Sequence, residues 1–234
     1  MQVLFLNYSA MGYYIDLEKI TIEDYQKKLE YACLPPGRMV LKEKPDERFG
    51  YFKDIGIKNI KELIQLLKKK DKFTELSKVN CLSGDYLTIL LRELNSTLPK
   101  PNRIADFIWI SKNTIDKLAK TGIINTEKLY DKVLTKIDRR KLADSTGIDY
   151  TEILELTKLT DLSRVKWVGV TYAQMLYGLG FDTVGKVSEA DPIDLHKRIN
   201  QRIKEHNIFK GGIGINDVKI LVEAANELPL EIEY

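Results

Sequence analysis

Apolar residues recur at i, i+3, i+4 and i+7 along residues 60–69, 86–94, 151–158 and 217–227, the spacing that gathers them on one stripe of a helix. Alternation with period two, the mark of a half-buried strand, hardly occurs. Glycine falls repeatedly just after an apolar-periodic run, where a helix ends on a left-handed residue. The pattern predicts an all-α fold with short connections. Residues 11–30, MGYYIDLEKITIEDYQKKLE, read as a turn and an amphipathic helix with Thr21 as N-cap and Asp24 at N3. Pro35-Pro36-Gly37 and Pro99-Lys100-Pro101-Asn102 interrupt the helices, because proline disfavours helix at itself and at the residue before it.

The helices follow a repeating text. Phe52, Gly56, Ile57, Asn59 and Leu63 stand in the same relative slots as Leu118, Gly122, Ile123, Asn125 and Leu129, and as Leu176, Gly180, Phe181, Thr183 and Val187. Each set reads as a helix ending on glycine, an apolar anchor, a capping side chain and the next helix. A second module follows in each case: Cys81-Leu82-Ser83 before Leu87, Gly147-Ile148-Asp149 before Ile153, and Gly214-Ile215-Asn216 before Ile220. Gly56 to Gly122 and Leu76 to Leu142 are both 66 apart, and Gly147 to Gly214 is 67. Two landmarks with one period predict three tandem units of about 66 residues, at 38–102, 103–162 and 163–234, after an N-terminal segment and helix at 1–37. Gly56, Gly122 and Gly180 are expected at positive φ.

The third unit resembles the helix-hairpin-helix motif, with Val165, Gly169, Ala173 and Leu176 in one copy and Gly212-Ile213-Gly214, Val218 and Leu221 in another. Over nearly the whole of 45–234 the chain resembles the domain of unknown function 4332 family, a prokaryotic family of tandem helix-hairpin-helix proteins. The resemblance implies an all-helical array and, as the usual activity of such modules, binding to DNA or RNA backbone; it implies no reaction. Glycine turns of this kind aim backbone N–H groups at a phosphate and position without reading sequence. The chain departs from the pattern elsewhere. Pro45 and Ser111 stand where the third unit has Gly169, Trp167 replaces the first hairpin glycine, and Ser145 and Val79 correspond to Gly212. Convincing hairpins are expected in the third unit alone.

Composition narrows the function classes. Hydrophobic residues at 44% and charged residues at 30% describe a folded, water-soluble chain. The balance of 37 Lys and Arg against 34 Asp and Glu leaves +3, too weak a field to establish a nucleic-acid partner by itself. The charge is also unevenly spread: residues 38–102 carry fourteen basic and nine acidic side chains, whereas 163–234 carry nine and ten. No stretch approaches the roughly 20 apolar residues of a spanning helix, and no signal peptide is read at the start, so a cytoplasmic protein without a membrane partner is expected. Met11 reads as an alternative start, with residues 1–10 as an upstream extension.

The residues supply little catalytic chemistry. GxxxxGK[ST], HExxH and GxSxG are all absent from the sequence. The two Cys and two His are scattered along the sequence and lack the spacing of a closed four-ligand zinc site, so no metal, cofactor or catalytic residue is assigned. His196 and His206 read as polar surface groups, Cys33 and Cys81 as small core residues, and Lys68, Lys69, Lys70 and Lys72 as a solvated helix end, with a phosphate-facing patch as the alternative. Trp109 and Trp167, two residues before Ser111 and Gly169, read as core packing, with base stacking as the alternative. The expected function is non-enzymatic, sequence-independent binding of nucleic acid, DNA in the first place. Gly169, Val170, Gly212, Ile213 and Gly214 would offer N–H groups, with Lys166, Arg198, Arg202 and Lys210 as nearby charge. The alternative is a protein-interaction scaffold that presents degenerate helical repeats to another protein or a second copy of itself.

Overall fold

A computed structural model describes residues 10–208 and 210–234. The expected extension ahead of Met11 therefore lies outside the described residues, apart from Ala10. The described chain is all-α, and its strand content is one ribbon of two-residue strands, Ala10–Met11 with Tyr14–Ile15. It divides into two compact units. One comprises Ile15–Leu98 and the other Met11–Tyr14 with Pro99–Tyr234, so the division falls at the proline-rich 99–102 segment.

The first unit holds α1 (Ile22–Tyr31), a 3-10 segment at Pro36–Lys42, α2 (Pro45–Asp54), α3 (Ile60–Lys68), α4 (Lys70–Leu76) and α5 (Gly84–Asn95). Helix α1 starts as its sequence predicts: the Asp24 N–H donates to Thr21 Oγ1 at 3.1 Å. Ile60, Leu63, Ile64 and Leu67 bury one face of α3. Arg48 is buried with them, its charge met by the carbonyls of Val40, Glu43 and Cys81 and by the Tyr86 ring, 3.9 Å from its guanidinium.

The second unit holds α6 (Lys112–Lys120), α7 (Thr126–Tyr130), α8 (Lys136–Thr146), α9 (Tyr150–Leu162), α10 (Val170–Gly178), α11 (Val184–Ser188), α12 (Pro192–His206) and α13 (Ile215–Asn226). One core, including Leu118, Leu129, Leu156, Leu176, Leu195 and Val218, runs through all of 104–225. Segment 229–234 lies back over this unit, held by two buried arginines. Arg139 Nη2 donates to the Glu233 carbonyl at 2.6 Å, and Arg164 Nη2 to the Pro229 carbonyl at 3.1 Å. Tyr130 and Tyr234 add hydroxyl bonds to Glu231 and Asp161, each at 2.9 Å.

The predicted glycine caps are present at all three positions: φ is +88° at Gly56, +81° at Gly122 and +85° at Gly180. At each, the glycine N–H bonds the carbonyl three residues back, and the following N–H bonds the carbonyl five back, from Ile57 to Phe52, Ile123 to Leu118 and Phe181 to Leu176. This is the Schellman arrangement, which satisfies carbonyls a helix end leaves open. Asn59, Asn125 and Thr183 then cap the next helix through their side chains. Short antiparallel bridges brace the first two caps, Thr21 with Asn59 and Arg103 with Asn125. At the third, the Val184 N–H goes instead to the Asp161 carboxylate at 2.9 Å.

The second module needs one correction. Ser83 and Asp149 are N-caps as read, but α13 is capped at Gly214, two residues before the expected cap Asn216. Gly147 is left-handed and Gly214 extended, so the 67-residue landmark pairs unlike positions. Counted between true N-caps, from Ser83 to Asp149 to Gly214, the spacing is 66 and then 65.

Candidate functional site

Two turns of the second unit carry most of the expected binding residues. The first leads from α9 to α10. Val165 and Val168 are buried anchors, and between them Trp167 takes φ +66° in the slot where a hairpin glycine would stand. A left-handed conformation costs a non-glycine residue about 1–2 kcal/mol. Gly169 is the N-cap of α10 and brings no side chain to its first turn, unlike Ser111 at α6 or Asp191 at α12. The start of α10 is thus a helix end whose dipole no capping carboxylate or hydroxyl offsets.

The second turn leads from α12 to α13, and α12 holds it down. Asn200 Nδ2 donates to the Ile213 carbonyl at 3.0 Å, and the Ile213 N–H donates back to Asn200 Oδ1 at 2.8 Å. His196 Nε2 lies 2.9 Å from the same carbonyl, so this histidine buttresses the turn and is not the plain surface group expected. The Gly214 N–H donates to Asp217 Oδ2 at 3.1 Å. The left-handed glycine here is Gly211, at φ +97°, and not Gly212. Gly212 is required for a different reason: a Cβ there would sit 2.6 Å from Asn200 Oδ1.

The turns meet at a cleft of about 390 Å³ whose lining includes Lys166, Trp167, Tyr172, Lys210, Ile213 and Asp217, together with Gly211 and Gly212. Four of the sequence-selected residues, Lys166, Lys210, Gly212 and Ile213, are therefore brought together, and Gly169 and Val170 open the helix that supplies Tyr172. Burial, and secondarily the Asp217 charge, push the Tyr172 phenol above its usual range. Two of the expected N–H donors, Ile213 and Gly214, already have acceptors within the protein. Arg198 and Arg202 lie elsewhere. Arg198 donates to the Leu179 carbonyl and covers the Phe181 ring, while Arg202 borders Gly178. Both thus stand at the far end of α10, about 14–15 Å from Gly169 at 1.5 Å per helical residue.

Other expectations also shift. Trp109 and Trp167 are each 44% exposed, so neither is the core residue expected. Their slots differ in backbone too, since Trp167 but not Trp109 is left-handed. Cys33 and Cys81 are half-buried and are not the core residues expected. Lys68, Lys69, Lys70 and Lys72 are exposed around the α3–α4 junction, with Lys72 paired to Glu75. Sequence reasoning missed Asn200 and Asp217. Both had a signal: Asn200 follows His196 by one helical turn, and Asp217 is three residues after Gly214, the spacing of a capping box.

Among the described residues no three His, Cys, Asp or Glu side chains cluster as metal ligands, and no helix is long and apolar enough to cross a membrane. Comparison with curated proteins and with solved structures gives no match. Residues 109–228, just over half of the chain and including both turns, match the family model described as Domain of unknown function (DUF4332), and the chain belongs to that family.

Proposed function

We propose that the chain is a non-enzymatic protein that binds nucleic-acid backbone without sequence preference, through the cleft between the α9–α10 and α12–α13 turns. On this reading the turns are two helix-hairpin-helix elements, the best preserved of three tandem units. The observation that carries it is the convergence of both glycine-bearing turns, with Lys166 and Lys210, on one cleft beside the uncapped start of α10. Cationic side chains and a helix N-terminus together favour a phosphate. Arg198 and Arg202 drop out of the site, because their guanidinium groups serve the opposite end of α10.

Fluorescence anisotropy with labelled DNA and RNA at several salt concentrations tests this. The parent protein should bind, with affinity falling as salt rises. Lys166→Glu with Lys210→Glu should weaken binding about tenfold or more and flatten the log–log salt slope by about two contacts, whereas Arg198→Gln with Arg202→Gln should change it little. Changes at Gly212 would be a poor test, since they would displace Asn200. No binding even at low salt would leave the scaffold reading, which is favoured by one feature: Ile108 and Trp109 are adjacent and exposed, Ile108 to 86%.

A further inference from the structure

We infer that the cleft takes an unpaired nucleotide, its base stacked on Trp167 and its phosphate toward Lys210, so that the protein prefers single-stranded nucleic acid to duplex. This rests on the backbone-binding reading above and adds to it what the site selects. Three observations lead here. Trp167 is 44% exposed in the wall of the cleft, and its backbone is held left-handed, a conformation that glycine would adopt freely. The largest side chain therefore stands, partly exposed, at a position whose backbone favours the smallest. Second, the Lys166 ammonium lies 4.4 Å from the Trp167 ring centroid, and Lys210 shares the same cleft. An aromatic face beside cations is the combination that single-strand grooves use, rings for bases and charge for the backbone. Third, the site is concave, and its 390 Å³ falls within the roughly 300–1,000 Å³ range of small-molecule pockets. A duplex offers a convex backbone and keeps its bases stacked inside, so it can touch the rim but cannot fill this cleft. Gly211 also lines the cleft, and a Cβ there would meet nothing within 4 Å.

The chain has two tryptophans, so a Trp109→Phe background makes Trp167 the sole indole reporter. That full-length protein is titrated with a ten-nucleotide oligothymidylate and with a blunt twelve-base-pair duplex, and the series is repeated on Trp167→Gly followed by anisotropy. Glycine suits the left-handed backbone, so this change removes the ring without straining the turn. The expected result is quenching of Trp167 by the single strand and a loss of about tenfold in single-strand affinity for Trp167→Gly, with duplex affinity unchanged. Equal affinity for both strands in the parent, or single-strand binding untouched in Trp167→Gly, would overturn this inference and leave the backbone-binding reading standing. Absence of binding to either probe at low salt would overturn both.

Discussion

Each glycine cap is a position where the backbone, not the surroundings, selects the residue. At Gly122 a Cβ would meet nothing within 4 Å, yet φ is +81°. Gly122→Ala should therefore lower stability by about 1 kcal/mol through backbone strain alone, read as a lower melting temperature with unchanged helical circular dichroism. A substitution without effect would mean the Schellman bonds to Leu118 and Ala119 form independently of the left-handed residue. These caps were legible because glycine, anchor and N-cap are neighbours in the sequence and act through local geometry. Trp167 was not legible. Nothing in the residue type favours a left-handed tryptophan, and Trp167 adopts it between the buried Val165 and Val168.

At the scale of elements, helices with side-chain caps were placed well. Thr21, Asn59, Ser83, Asn125, Asp149 and Thr183 all accept the N–H bonds expected of them. Helix α13 was misplaced because a glycine N-cap carries no side chain to announce it, and the bond runs backwards from Asp217. That carboxylate is also the one negative charge among the residues lining the cleft. Asp217→Asn retains an oxygen for the Gly214 N–H and removes the charge. It should raise affinity for nucleic acid severalfold while leaving the melting temperature nearly unchanged, and it should lower the Tyr172 phenol pKa, because the Asp217 charge helps to raise it. Unchanged affinity would argue that phosphate does not approach this side of the cleft. The convergence of the two turns was beyond sequence reasoning, since residues 166 and 210 are joined through the packing of α10, α12 and α13 rather than by spacing.

Across the second unit, the segments read as separate repeats share one core, so neither can bury its apolar face alone. Segment 229–234 adds to this dependence. Arg139 is 1% exposed and donates to the carbonyls of Val133 and Glu233, linking the turn before α8 to residues that follow α13. Arg139→Ala would leave those acceptors unpaired and open a cavity, a loss of about 3 kcal/mol or more seen in chemical denaturation. An ordinary helical solenoid is open at its ends, and whole repeats can be trimmed from it with a graded loss of stability. Here the last residues return to the first half of the unit, so 103–162 and 163–234 should unfold as one. Slowly exchanging amides of α9 and α13 would then report the same opening free energy, and removal of 229–234 would lower both together. A unit tied across its own core in this way does not behave as a sum of modules, however regular its glycines make it look.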